Sequence, residues 1–137
     1  MPKITILSVA LCVFILLVLI PFMEISDTHL TNPEWPGHAR LHEAWQLLEN
    51  AAFSLLAFIL VWKGIAPRIG IVIGLILSSS FLVAWLTGPL YGGSMAHSDG
   101  TEFAIGGISV VVVVVAIIAG LLLLGWRAHS QHIEVSA

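Results

Sequence analysis

Side chains able to hold a metal or move a proton recur at intervals of four, four and three residues within NPEWPGHARLHEAWQLLEN, residues 32–50: His38, His42, Gln46 and Glu49. That spacing lines one face of a helix. Pro36-Gly37 ends an extended lead-in, so the helix is expected to begin near residue 37 and to carry its polar stripe on into AAFSLLAFILVW. An ionisable stripe that passes from water into a bilayer marks a functional site by default.

The stripe supports two chemistries. His38-x3-His42 sets two imidazoles one turn apart, the arrangement by which helical histidines chelate a single ion. The sequence reads H-A-R-L-H and lacks the H-E-x-x-H form of a zinc protease, so further ligands are required. Glu49 supplies one if the site lies deep; His97, Asp99 and Glu102 do so if the segment YGGSMAHSDGTEF folds over the pair. A mixed histidine and carboxylate shell suits a divalent metal such as zinc, iron or manganese. The second chemistry needs no metal: His42 and Glu49 form an acid/base pair at the head of a membrane-buried pocket, and Gln46 orients the polar group of a lipid-soluble substrate. A third reading gives the stripe no catalysis and makes the chain an accessory or ligand-binding membrane subunit.

The elements that must position these residues follow from composition. Of 137 residues 58% are hydrophobic and 9% charged, with a mean hydropathy of +1.03. Such a chain is too apolar to persist as a soluble globule and belongs in a lipid bilayer. Apolar segments run from Ile4 to Met23, about Gln46 to Trp62, Ile69 to Leu90 and Ala104 to Trp126. Each approaches the roughly 20 residues that cross about 30 Å of hydrocarbon. None alternates apolar with polar residues as a barrel strand would. The expected fold is therefore all-α, one domain over residues 1–137, a transmembrane four-helix bundle.

The first segment is longer than a secretory h-region, and LIPFMEIS offers no cleavage pattern, so a retained helix is expected. Cys12 is the single cysteine, which excludes an internal disulfide. The short KGIAPR connection makes an antiparallel hairpin of the second and third helices. Gly70, Gly74 and Ser78 to Ser80 permit close helix approach. The fourth helix is expected to begin at Glu102, with Gly106 and Ser109 on the same face, and the tail RAHSQHIEVSA to be solvated.

Lys3, Lys63, Arg68 and Arg127 fall in places that an even number of crossings puts on one side. The positive-inside rule makes that side, and both termini, cytoplasmic. The other side carries Glu24, Asp27, Glu34, Glu43, Glu49, Asp99 and Glu102 against the single base Arg40. An acidic, histidine-bearing face attracts cations and excludes nucleic acid as a partner. Trp35 and Trp45 suit the interfacial aromatic belt.

The string N-P-x-W-P-x-H-A-R-x-H-x-x-W-Q at residues 32–46 resembles that of a group of small bacterial inner-membrane proteins of unassigned function, whose four-helix hydropathy is similar to that of DoxX-like membrane proteins. It covers about a tenth of the chain. The resemblance implies a four-helix fold in a bacterial inner membrane and assigns no catalytic residue.

Overall fold

Proline, glycine and long apolar runs divide the chain into four helices, seen in a computed structural model that describes residues 1–97 and 99–136. They are α1 (Lys3–Glu24), α2 (Gly37–Trp62), α3 (Pro67–Thr87) and α4 (Val110–Ser136). All four are long and apolar enough to span a bilayer, α2 being the least apolar because it carries the polar stripe. Large apolar side chains on their outward faces are exposed, among them Leu7, Phe22, Leu48 and Leu86. That inside-out distribution suits a lipid solvent.

Helix α1 is not α-helical throughout. Pro21 has no N–H to donate, and its ring would collide with the carbonyl four residues earlier. The preceding turn widens into a π segment at Ile15–Leu19, where the Ile20 N–H reaches back to the Ile15 carbonyl. Regular bonding resumes when the Ile25 N–H donates to Pro21. Between α2 and α3, Gly64 takes the left-handed conformation (φ 65°) and Pro67 opens the next helix. This glycine-then-proline punctuation reverses the chain in a few residues.

Consecutive helices are neighbours, and α4 returns to pack on α1, which also touches α3 across the bundle. Small residues set the closest crossings. A Cβ on Gly70 would lie 2.6 Å from the Ala57 carbonyl oxygen, and one on Gly125 would lie 2.6 Å from Ser8 Oγ. At the second crossing Thr5 Oγ1 donates to the Gly125 carbonyl at 2.9 Å. Between these crossings Val9, Cys12, Ala57, Val61, Ile71, Ile118 and Leu122 form the apolar core.

The fourth helix departs from its sequence-based bounds. Residues Ala104–Ile105 (β1) and Ile108–Ser109 (β2) pair antiparallel, and the helix begins only at Val110. Gly106 and Gly107 both have positive φ (61° and 80°), the two-residue hairpin turn that Gly-Gly favours. Glu102, Gly106 and Ser109 therefore share no helical face. At the other end α4 continues through the polar tail, where His129 is buried and Arg68 of α3 lies 5.7 Å above the Trp126 ring. The tail is thus a helical extension that packs at its base through His129, while Arg127 and residues 131–135 are exposed as expected.

Candidate functional site

The inward seam of α2 decides which polar residues can act together. Leu47, Ser54, Ala57 and Val61 are its buried residues, and the same register passes through Glu43 and Asn50. The 4-3-4-3-4 spacing is that of a bundle seam. The stripe His38, His42, Gln46 and Glu49 flanks it. All four are exposed.

His38 and His42 meet each other. Their Nε2 atoms are 3.0 Å apart and their rings pack edge to face at 4.5 Å, with His42 stacked on Trp45 at 5.9 Å. One imidazole donates to the other, a bond that two neutral rings can make. His97, Asp99 and Glu102 do not join them. Among the described residues no three of histidine, cysteine, aspartate and glutamate are grouped so as to hold a metal ion.

His97 instead turns toward the connector between α1 and α2. Its ring packs edge to face on His29 at 4.6 Å, and its Nδ1 lies 3.2 Å from Thr28 Oγ1. Asp99 shapes the loop that presents it: Asp99 Oδ1 accepts from the Thr101 N–H at 2.9 Å and from its hydroxyl at 2.7 Å, and the His97 N–H donates to the Thr101 carbonyl at 2.7 Å. Those bonds hold the Asp99 carboxyl below its ordinary range. Glu102 is exposed beside this turn.

His29 is the centre of the cluster. Its Nδ1 is 2.9 Å from Thr28 Oγ1, its Nε2 is 3.3 Å from Glu24 Oε2, and Trp35 packs edge to face on the ring at 5.6 Å. Burial first, and His97 second, push His29 below the ordinary imidazole range, against the opposing pull of Glu43. Glu43 faces this cluster from α2, within electrostatic reach of Glu24 and His29, and its Oε1 is buried with no hydrogen-bond partner. The Arg40–Glu43 pairing that three-residue spacing allows is absent from the ion pairs among the described residues.

Below the cluster lies a cavity of ≈ 380 Å³ in the half of the bundle remote from the termini. All four helices line it, and its apolar wall comes from α1, α3 and α4, including Ile15 and Leu16 of the π segment, Phe81 and Ile118. Glu24, Gln46 and Asn50 line its head, and Ser78 and Ser80 its side. A wider vestibule lined by Glu43, Trp85, Tyr91 and Met95 shares Gln46, Phe81 and Ala84 with it. A mainly apolar chamber of this size with a few placed polar groups is the usual form of a small-molecule site.

Comparison of the chain with protein-family models, curated proteins and solved structures finds no match. The site must be judged on its own geometry.

On that geometry Gln46 is the member of the sequence-derived set that reaches the cavity. His42 and Glu49, expected to act with it, do not line it. Sequence reasoning passed over Glu24, Thr28, His29 and Glu43 as site residues. The seam spacing that joins Glu43 and Asn50 to Leu47 and Ser54 was the available signal for α2. Nothing local in the sequence marks Glu24 and His29, which a helix end and a loop bring to the cavity head.

Proposed function

We propose that this protein binds a lipid-soluble small molecule between its four helices, with the molecule's polar head at Glu24, Gln46 and Asn50 and its apolar body against Leu16, Phe81, Val115 and Ile118. The observation that carries this reading is the ≈ 380 Å³ cavity, lined mainly by apolar side chains, with Glu24, Gln46 and Asn50 at its head. The acids at the head select the ligand. Glu24 lines the cavity and Glu43 the vestibule, carboxyl groups that hydrogen-bond a hydroxyl, phenol, amide or amine head in either protonation state and repel an anionic head whenever they are ionised. The charge distribution of the loops supports placing this end on the extracytoplasmic face of a bacterial inner membrane.

Extraction of the detergent-purified protein with organic solvent, followed by mass spectrometry, tests the proposal. A stoichiometric lipid-soluble compound is expected from the wild type, with loss in Val115→Trp, which fills the chamber, and in Asn50→Leu, which removes a head group. Equal yields from all three proteins would refute it.

Acid/base chemistry on the bound molecule is favoured by one specific observation, the 3.3 Å approach of Glu24 Oε2 to His29 Nε2. In this reading Glu24 exchanges a proton with the ligand head and His29 is its partner, the roles first expected of Glu49 and His42. Binding of zinc, iron or manganese at His38 and His42 is a separate reading, supported by the convergence of their Nε2 atoms. Metal analysis of the wild type beside His38→Ala and His42→Ala decides it.

A further inference from the structure

The polar contacts at the cavity head form a chain. Glu24, whose carboxylate borders the chamber, has Oε2 3.3 Å from His29 Nε2. His29 Nδ1 is 2.9 Å from Thr28 Oγ1, which is 3.2 Å from Nδ1 of the partly exposed His97. We propose that Glu24, His29, Thr28 and His97 are a proton relay joining the intramembrane cavity to water at the loop end of the bundle.

Each member both gives and takes a proton. A neutral imidazole donates from one nitrogen and accepts at the other, and a threonine hydroxyl does both through one oxygen. In the outward direction the Glu24 carboxylic acid passes its proton to His29 Nε2 while His29 Nδ1–H passes to Thr28 Oγ1. The Thr28 hydroxyl proton moves to His97 Nδ1, and His97 Nε2–H releases one to water. One proton leaves the carboxyl and one enters water. No bond between heavy atoms changes, and no electron is transferred. The reverse sequence reloads the carboxyl and restores both tautomers.

The surroundings suit this role better than that of a simple staple between connector and loop. A staple needs contact, whereas here Thr28 bridges the Nδ1 atoms of two histidines and leaves the far nitrogen of one to the cavity acid. Burial favours the neutral form of His29, the form in which it can conduct. Glu43, facing the same ring from α2, steadies the positive charge that develops on it as the proton passes. Asp99 fixes the turn that holds His97 in place. That the relay serves a bound molecule rests on the ligand-binding reading above; the relay itself requires no ligand.

Time-resolved infrared spectroscopy after a light-triggered pH jump tests it, with the full chain in phosphatidylcholine nanodiscs and no added ligand. The carboxylic acid band absent from Glu24→Gln identifies Glu24. Its response is expected to slow about tenfold or more in Thr28→Val and in His97→Gln, the factor that loss of one hydrogen-bonded step carries. The final amplitude is retained in Thr28→Val, and Thr28→Ser recovers the wild-type rate. A wild-type rate in Thr28→Val, a Thr28→Ser protein as slow as the valine variant, or no band lost in Glu24→Gln would each overturn the relay. An empty solvent extract from the purified protein would remove the ligand reading and leave these rates untouched.

Discussion

Substituting Gly70 by alanine tests whether the contact between α2 and α3 sets the spacing of the bundle. The new Cβ would stand 2.6 Å from the Ala57 carbonyl oxygen and 2.7 Å from Val61 Cγ2, where ordinary van der Waals contact begins near 3.4 Å. Val61 can yield by a small rotation. The Ala57 oxygen belongs to helical backbone and moves only with the whole of α2, so the two helices must part by several tenths of an ångström. Overpacking of this kind costs about 1–3 kcal/mol. An unaltered crossing would gain the small advantage of alanine over glycine in a helix, about 1 kcal/mol, so the net expected loss is about 0–2 kcal/mol. Gly120→Ala provides the reference, because no atom lies within 4 Å of the added Cβ. There the helix propensity acts alone, and the difference between the variants isolates the steric cost. Unfolding of each in mixed micelles with increasing SDS measures that difference. Gly70→Ala as stable as Gly120→Ala would show that the crossing does not govern the fold, and a fall of at least 1 kcal/mol relative to it is expected.

The remaining predictions concern the cavity head. His29 has its imidazole pKa lowered in the folded state, so an opened connector binds the proton more readily. The contact between connector and loop is therefore intact above the ordinary value of about 6.5 and weakens as pH falls below it. Glu24, Glu43 and His97 also face this ring, so the assignment needs His29→Gln. Amide hydrogen exchange across residues 24–35 should accelerate on acidification in the wild type and change less in that variant; equal responses would exclude His29 as the cause. Removal of divalent ions with a chelator is expected to leave ligand in the solvent extract, since no histidine lines the cavity. Loss of ligand in chelator would transfer the site to His38 and His42.

The membrane-spanning helices were legible because their determinant is local: a run of about 20 apolar residues has one stable disposition in a bilayer. Helix phase was harder to read. His38, His42, Gln46 and Glu49 have helical spacing, but so do Glu43, Leu47, Asn50, Ser54, Ala57 and Val61, and the second set is the seam. Two adjacent stripes separate only when the apolar members are counted with the polar ones, because burial of Leu47 and Val61 fixes which face turns inward. His97 was read as a partner of the α2 histidines; it meets His29, a contact 68 residues away along the chain that hydrophobic period cannot disclose. The start of α4 was misplaced for a different reason. Ala104 to Ser109 is apolar enough to pass as helix, whereas Gly106-Gly107 is the turn of a hairpin.

The widened turn in α1 has an angular effect on everything beyond it. An extra residue inserted into a helical ladder advances the following side chains by about 100° relative to an unbroken α-helix. Thr5, Ser8 and Cys12 lie before it and grip α4 and α3; Met23 and Glu24 lie after it and meet the chamber. One helix thus clamps its neighbours at one end and lines the chamber at the other, and the widened turn before Pro21 keeps both parts on the inward face. Straightened into an unbroken α-helix of the same length, α1 would swing the Glu24 carboxylate round by about that angle, away from the end of the chamber it borders.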